Sequence, residues 1–245
     1  MLCRMMQRSF VRTMLCALVP IVVAISAAAT SWHAPVEVRA DAPVLDFAVD
    51  YLMNGAKPEN LVTACAGVDR LLAARAGHEW TLRLDDVDEP GKTARATVWK
   101  SIEDAEEASL TLEGSPERKT FTGSADVNRE GRLHFRQLRE HVYSNDKCGH
   151  LEVVVFRTKP TVTREANVAK FDAAESEFEK GKGLRAHSLW IAPDGRWVHL
   201  LKWEDAAAFA QTGKALFMQP GVGGWIRSLD FKRFVVTRGD VVAVQ

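Results

Sequence analysis

The hydrophobic and polar positions of this chain predict the same succession of strands and helices twice. In the second half, β-branched runs predict strands, apolar residues at helical spacing predict helices, and Pro193-Asp194-Gly195 predicts the turn of a hairpin. The predicted elements there are a strand at 151–157, a helix at 163–180, strands at 184–191 and 196–203, a helix at 204–218 and a strand at 230–238. Their order is β-α-β-β-α-β.

The first half predicts the same order from its own pattern. The elements are a strand at 45–53, a helix at 58–76, strands at 78–84 and 93–99, a helix at 101–112 and a strand at 132–139. Three short sequences recur in the same order, namely 45–49 with 151–155, 99–105 with 202–206, and 133–138 with 229–234. Recurrence of three anchors in one order predicts a duplicated domain.

The duplication has a physical consequence for packing. A β-α-β-β-α-β unit packs two helices on one face of a four-stranded antiparallel sheet, and the other face needs cover. Three consecutive valines at 153–155 make one strand apolar on both faces. We therefore predict an α+β protein in which two ferredoxin-like repeats cover each other's sheets within one chain. Two domains lying side by side are the alternative, but the short link between the halves favours internal pairing.

The N-terminus has the pattern of a secretory signal peptide. Arg4, Arg8 and Arg12 precede an uncharged apolar run at 14–29 that ends in three alanines. The pattern allows cleavage after Ala29 or after Ala40, so residues 1–40 are assigned to the signal segment. A membrane anchor is the alternative, but the run is shorter than the roughly 20 residues that span a bilayer. We expect an exported protein, periplasmic or secreted, without a stable membrane anchor.

Charge and length bound the remainder of the chain. Residues 41–245 carry 28 basic and 31 acidic side chains, and a mildly acidic surface gives no electrostatic reason to bind nucleic acid. The repeats are assigned to 41–140 and 151–245, with 141–150 as the link between them. The fold then predicts either a monomeric pseudo-dimer or a homodimer.

Two cysteines follow the predicted signal segment. An oxidising compartment would permit a disulfide between Cys65 and Cys148. Cys65 also lies on the apolar stripe of a predicted helix, where a buried free thiol behaves as a small hydrophobic residue. The sequence leaves both alternatives open.

An aromatic stripe marks the strand at 196–203. Residues alternate between faces, so Trp197, His199 and Trp203 share one face, and Trp190 lies near His199 in one register of the hairpin. An imidazole between two indoles indicates an aromatic pocket in which His199 gives a hydrogen bond or acts as a general base. Packing of core aromatics around a hydrogen-bonded histidine is the alternative.

The first repeat has a related set of residues. The alternation places His78 and Trp80 on one face, with Trp99 on the partner strand. They predict a second, symmetry-related ligand surface, or the same packing solution inherited twice.

The segments at 202–209 and 98–105 carry a resemblance to a known family. Each has a strand-ending tryptophan followed by an acidic, alanine-rich helix. This pattern and the strand order resemble the dimeric α+β barrel superfamily, in its antibiotic-biosynthesis-monooxygenase-like branch. The resemblance implies a sheet-against-sheet barrel with a ligand pocket between sheet and helices. Members of that branch include monooxygenases of polycyclic aromatics that use no cofactor, and proteins that degrade haem.

The resemblance also separates these chemistries. Haem-degrading members need an iron-ligating histidine on the helix after the tryptophan, and neither 204–218 nor 101–112 contains a histidine. We therefore expect no haem and no other cofactor. His141, Cys148 and His150 are metal-ligand types close in sequence, but their spacing fits no strong zinc pattern, so no metal site is predicted.

Two functions from different classes follow. One is an exported protein that binds a small apolar or aromatic molecule and acts as a cofactor-independent monooxygenase with His199 at the pocket. The other is a non-catalytic module of the same fold that binds a ligand or a protein. Fold analogy does not choose between them, because function resides in the site.

Overall fold

The computed structural model describes residues 36–127 and 133–244. Most of the predicted signal segment, including the Ala29 cleavage site, lies outside these residues. The strands are β1 (Val44–Leu52), β2 (His78–Asp85), β3 (Lys92–Trp99), β4 (Ala125–Val127), β5 (Leu133–Val142), β6 (His150–Phe156), β7 (Leu184–Ile191), β8 (Trp197–Trp203) and β9 (Val235–Val244). The helices are α1 (Pro58–Ala73), α2 (Ile102–Glu113), α3 (Pro116–Thr122), α4 (Arg164–Phe178), α5 (Ala206–Ala208), α6 (Lys214–Phe217) and α7 (Pro220–Ile226). A π-helical turn, Phe209–Gly213, joins α5 to α6, and a 3-10 helix, Phe231–Arg233, precedes β9.

Eight strands close into one antiparallel barrel. Around the barrel the order is β1-β3-β2-β9-β6-β8-β7-β5 and back to β1, with β4 pairing beside β1. The first repeat supplies β5-β1-β3-β2 and the second supplies β9-β6-β8-β7, which is the same order. Two seams, β2 with β9 and β5 with β7, join the repeats. The predicted α+β fold, with two ferredoxin-like repeats covering each other within one chain, is confirmed.

The strand registers show which residues of the two repeats are equivalent. Val44 pairs with Trp99 in the first repeat, and His150 pairs with Trp203 in the second. Trp99 and Trp203 therefore occupy the same place, and residues at equal distances before them on β3 and β8 correspond. This equivalence lets the chemistry of the two repeats be compared position by position.

The final strand of each repeat changes partner across a bulge. On β5 the register with β7 skips Leu138, and on β9 the register with β2 skips Val242. A bulge bends the strand and raises its twist, which suits a strand that bridges two sheets. The predicted strand at 230–238 was wrong in its bounds, because Phe231–Arg233 is a 3-10 helix and β9 continues to Val244.

The predicted helix at 204–218 forms as one helical segment at 206–217, with a π-helical turn inside it. It consists of α5, the π-helical turn and α6 without a break, and a separate helix, α7, begins at Pro220. The carboxylate of Glu177 accepts hydrogen bonds from the backbone N–H groups of Gly221 and Val222, at 3.0 and 2.8 Å. Proline suits the first turn of a helix, and the anion stabilises its N-terminus.

The described residues form three hydrophobic cores. One fills the barrel interior and draws residues from both repeats. The other two lie outside the barrel, where α1, α2 and α3 cover the first sheet and α4 and α7 cover the second. Among the described residues, no helix is long and apolar enough to cross a membrane.

Candidate active site

A pocket of about 310 Å³ lies on the outer face of the second sheet, beneath α6 and α7. Its volume is at the lower end of the roughly 300–1,000 Å³ typical of ligand pockets. Most of its wall is apolar, and four side chains add polar or charged groups. The lining residues are Asp88, Glu152, Val154, His199, Phe217, Trp225, Ile226, Leu229, Phe234, Val236 and Arg238.

His199 belongs to a line of hydrogen-bonded groups that runs from the pocket to the helix α4. Its Nε2 lies 3.0 Å from His187 Nδ1, and His187 Nε2 lies 2.9 Å from Glu175 Oε2. Both imidazoles are buried, at 1% exposure each. If His187 donates to the Glu175 carboxylate, it accepts from His199 Nε2–H, and the lone pair of His199 Nδ1 is left for the pocket. The line then consists of the Glu175 carboxylate, His187 as the group that orients its neighbour, and His199 as the base at the pocket.

Two further side chains surround the Glu175 carboxylate. Tyr143 donates to Glu175 Oε1 at 2.5 Å, and its oxygen lies 3.0 Å from His187 Nε2. His141 Nε2 lies 3.2 Å from Glu175 Oε2. The rings of His141 and Tyr143 both stack beside the His187 ring, with centroids 5.2 and 5.8 Å away. These contacts fix the orientation of His187.

Burial determines the protonation of this line. It lowers the pKa of His199 well below 6.5, and a charge on His187 would lower it further. Burial also lowers the pKa of His187, although the hydrogen bond to Glu175 opposes the shift. For Glu175, burial would raise the pKa, but hydrogen bonds from His187 and Tyr143 outweigh burial and lower it. The line therefore pairs a carboxylate with neutral imidazoles near neutral pH.

The other polar end of the pocket is formed by Glu152, Arg238 and Asp88. Glu152 is 4% exposed, and its Oε2 has no hydrogen-bond partner. Burial raises the pKa of Glu152 to about 7, against the opposing charge of Arg238. Arg238 donates to both oxygens of Asp88, at 2.8 and 3.2 Å, so a loop of the first repeat closes a pocket of the second.

The first repeat has a polar cluster at the equivalent place, with different chemistry. Arg95 stands four residues before Trp99, as His199 stands four before Trp203. Arg83 Nε donates to Asp69 Oδ2 at 3.0 Å, and Arg95 Nη1 lies 3.7 Å from Asp69 Oδ1. All three side chains are nearly or fully buried. One repeat thus holds a buried ion-pair cluster where the other holds ionisable imidazoles beside a pocket.

Solved structures share this architecture. An anthrone oxidase-like protein has a TM-score of 0.62 at 12% identity, over 84% of this chain and 93% of that one. A candidate monooxygenase from Fusobacterium nucleatum has a TM-score of 0.63 at 10% identity, over 84% and 95%. A variant of chlorite dismutase from Candidatus Nitrospira defluvii has a TM-score of 0.57 at 12% identity, over 84% and 93%. No protein-family model and no curated protein matches the chain.

The chain has the dimeric α+β barrel fold. At such low identities the likeness establishes the fold alone, so the chemistry of this barrel depends on its own side chains.

The tryptophans predicted to bind a ligand lie in several different environments of the dimeric α+β barrel. Trp197 stacks on Phe156 and Trp203 packs against Phe209, both outside the barrel on the same face as His199. This shared face is as the alternation predicts, but neither indole lines the pocket beside His199. Trp225, on α7, supplies the indole that does, with its ring 5.0 Å from that of His199.

Trp190 lies on the opposite face of the sheet from His199. The register pairs Trp190 with Val198 and Leu189 with His199, so the prediction that Trp190 lies near His199 was wrong by one residue. Trp190 faces the barrel interior, where its Nε1 donates to Ser188 at 2.7 Å.

His78 and Trp80 also lie on different faces, which corrects the predicted shared surface. The register shifts between them, because a bulge at this point reverses the alternation. His78 contacts the edge of Trp99 under the helices and lies 2.9 Å from the Thr81 hydroxyl. Trp80 lies under the ammonium group of Lys202, 3.8 Å from its ring centre, and lines a separate cavity of about 360 Å³.

The cysteines are free thiols on opposite sides of the sheet. Cys65 lies under the helices of the first repeat, and Cys148 packs against the barrel interior. The structure therefore does not form the disulfide that the sequence allowed. Burial raises the pKa of the Cys65 thiol to about 11 and also raises that of Cys148, which favours the protonated form of both thiols.

The sequence patterns did not identify His187, Glu175, Tyr143 or Trp225 as site residues. A signal for Glu175 was present, because it follows Phe171 by four residues and so lies on the buried face of α4. Asp69 follows Cys65 by four residues on α1, so both repeats place an acid against the sheet. No comparable signal in the sequence marks Tyr143, which reaches the cluster only through the β5–β7 seam.

Proposed function

We propose that the protein binds a small polycyclic aromatic molecule in the pocket of the second repeat and that His199 removes a proton from it. The observation that carries the proposal is the line Glu175–His187–His199, which ends at the wall of an apolar pocket. A neutral imidazole whose other nitrogen is held by an oriented partner is the arrangement of a general base.

The remaining pocket groups suit a substrate with a carbonyl beside an acidic C–H bond. The aromatic rings of Phe217, Trp225 and Phe234 favour a flat apolar molecule. When the proton leaves the C–H bond, charge develops on the carbonyl oxygen. Glu152 in its protonated form can donate to that oxygen, and the charge of Arg238 stabilises it.

The proton then has a defined path. It binds His199 Nδ1, and the positive charge is shared along the hydrogen bonds to His187 and the Glu175 carboxylate. The resulting carbanion of the substrate reacts with dissolved oxygen. For anthrone the overall change is anthrone plus O₂ giving anthraquinone plus water, with no cofactor. We therefore propose a cofactor-independent monooxygenase.

Oxygen uptake with anthrone tests the assignment. We expect wild-type protein to accelerate uptake above the spontaneous rate, and His199→Gln to lose about 100-fold of that acceleration, because a positioned base typically contributes 10²–10⁴-fold. His78→Gln is the matched control, since this imidazole belongs to the first repeat and should leave the rate unchanged.

Thermal shifts with anthrone and anthraquinone separate binding from catalysis. If both stabilise the protein and oxygen uptake stays at the spontaneous rate, the catalytic assignment is wrong and the protein is a binding module. If neither stabilises it, the pocket does not take three-ring aromatics and the substrate class is wrong.

We also propose export with cleavage after Ala29 rather than Ala40. Val36 and Val38 pack against the core of the second repeat, and Arg136 donates to the Ala40 carbonyl oxygen at 2.8 Å. Cleavage after Ala40 would remove both valines and their contacts. Expression in a bacterial host followed by N-terminal sequencing of the mature protein should give a chain that starts at Thr30. A chain starting at Met1 would contradict export, and one starting at Asp41 would contradict the cleavage site.

A further inference from the structure

We infer that His141, Glu175 and His187 form a binding site for a divalent transition-metal ion of the zinc class. Each offers one ligand atom, and these atoms all lie within 4.8 Å of one another. Binding one ion would draw these atoms to roughly 2.0–2.2 Å from it, the distance of zinc from nitrogen and oxygen ligands. The cluster differs from the group His141, Cys148 and His150 suggested by proximity in sequence, because only His141 belongs to it.

The ligand types favour a transition metal over calcium or magnesium. Two imidazoles and one carboxylate form a common set for zinc and for other first-row divalent ions, whereas hard cations prefer oxygen ligands throughout. The ligands come from three elements, β5, α4 and β7, which the β5–β7 seam and the packing of α4 hold together. The site thus exists only in the closed barrel.

His141 indicates a vacant coordination direction. Its Nε2 is buried and makes no hydrogen bond, although Glu175 Oε2 is 3.2 Å away. A buried ring nitrogen without a partner is costly unless something fills the space in front of it. A metal ion between His141 and His187 would use this nitrogen.

The edge of the site is open to solvent. The side chains of His141 and Glu175 are 30% and 25% exposed, whereas that of His187 is fully buried. Water can therefore complete the coordination of an ion held by three protein ligands. On the buried side His199 holds the second nitrogen of His187, as the outer partners of metal-binding histidines commonly do.

Metal binding would reverse the hydrogen bond between the two histidines. An ion on His187 Nε2 requires the proton on Nδ1, which then donates to His199 Nε2. His199 must in turn carry its proton on Nδ1, facing the pocket. If the proposed function is correct, the metal-bound form lacks the free base and is inactive, so the cation would regulate the pocket.

Calorimetric titration of the metal-free protein with Zn²⁺ tests the site without any pocket ligand. We expect one saturable site in the wild type, unchanged in His78→Ala, and at least about 10-fold weaker in His141→Ala and in Glu175→Gln. Circular dichroism checks that each variant is folded, and the two independent variants guard against loss of structure in one. Two results would overturn the site: no saturable binding of Zn²⁺ by the wild type, or wild-type affinity for Zn²⁺ in both His141→Ala and Glu175→Gln.

Nitrogen-15 NMR of histidine-labelled protein tests the coupling to His199 separately. On addition of Zn²⁺ we expect the proton of His199 to move from Nε2 to Nδ1. Zinc binding with an unchanged His199 tautomer would keep the metal site and reject the regulation. Because neither measurement uses anthrone, failure of the proposed function leaves the result on the metal site intact.

Discussion

Replacement of Asp69 by alanine is expected to destabilise the folded protein by about 3–5 kcal/mol, the cost of leaving a buried charge without its partner. Asp69 is fully buried between Arg83 and Arg95, which are 5% exposed each. Guanidinium groups do not lose their charge in proteins, so the variant retains two cations in a low-dielectric space. The charges of Asp46 and Asp50, which also act on Arg95, offset part of this cost.

Urea unfolding of wild type and variant measures this effect. Asp172→Ala is the matched control, because Asp172 pairs with Arg139 at 2.9 Å but is 41% exposed. Exposed pairs contribute about 0–1 kcal/mol. If Asp69→Ala costs no more than Asp172→Ala, the cluster of the first repeat does not hold its helix to the sheet.

Replacement of Glu152 by glutamine is expected to stabilise the protein by up to about 3 kcal/mol at about pH 8 and to have little effect at about pH 4. Burial raises the pKa of Glu152 from 4.5 to about 7. Above pH 7 the wild type must therefore hold a poorly solvated carboxylate, whereas glutamine keeps the shape without the charge.

The sign of the pH dependence follows from proton binding. Between pH 4.5 and about 7 the folded state holds a proton on Glu152 that the unfolded state has released. Stability from this group is therefore complete below 4.5 and is lost as the pH rises through about 7. The glutamine variant lacks this loss, so the difference between variant and wild type should grow across that window.

Unfolding at a series of pH values measures this difference. Glu106→Gln, an exposed position on α2, is the control and should change stability equally at every pH. If the stability difference between Glu152→Gln and wild type is the same at low and high pH, the prediction is wrong and Glu152 is already ionised in the folded state near pH 5.

Equivalent places in the two repeats hold clusters of different chemistry, an ion-pair cluster in the first and a line of histidines in the second. Asp69 and Glu175 occupy equivalent helix positions, and Arg95 and His199 occupy equivalent strand positions. Arginine stays charged at all accessible pH values and so fits an ion pair, whereas histidine can gain or lose its proton. Equivalent backbone positions therefore carry an ion-pair cluster in one repeat and a candidate active site in the other.

The sequence predicted the architecture because each repeat carries its own periodic signal. A β-branched run marked β6, apolar residues at helical spacing marked α4 and a turn signal marked the hairpin of β7 and β8, and doubly apolar strands implied that the sheets are covered on both faces. The predictions from the sequence were wrong where strand register or helix capping decides the position of a side chain or the start of a helix. The bulge between His78 and Trp80 and the capping of α7 by Glu177 are products of contacts distant in sequence.

Of the hydrogen-bonded line at the candidate site, the sequence predicted only His199. Alternation placed His199 on one face with Trp197 and Trp203, and in the structure all three lie on the outer face of the second sheet. Trp197 and Trp203 share this face but do not line the pocket. Trp190 lies on the other face, because a one-residue difference in register places a side chain on the opposite side of a sheet. The role of His199 as a general base stays a prediction.

By itself, then, the sequence determined the duplication, the order of the strands and the face on which His199 lies, because these depend on periodicity within one segment. Only the tertiary structure decided which groups surround that histidine. His141 and Tyr143 come from the last strand of the first repeat, and Asp88 from its hairpin loop. They reach the second repeat because the barrel closes, and closure depends on pairing between strands that no local pattern specifies.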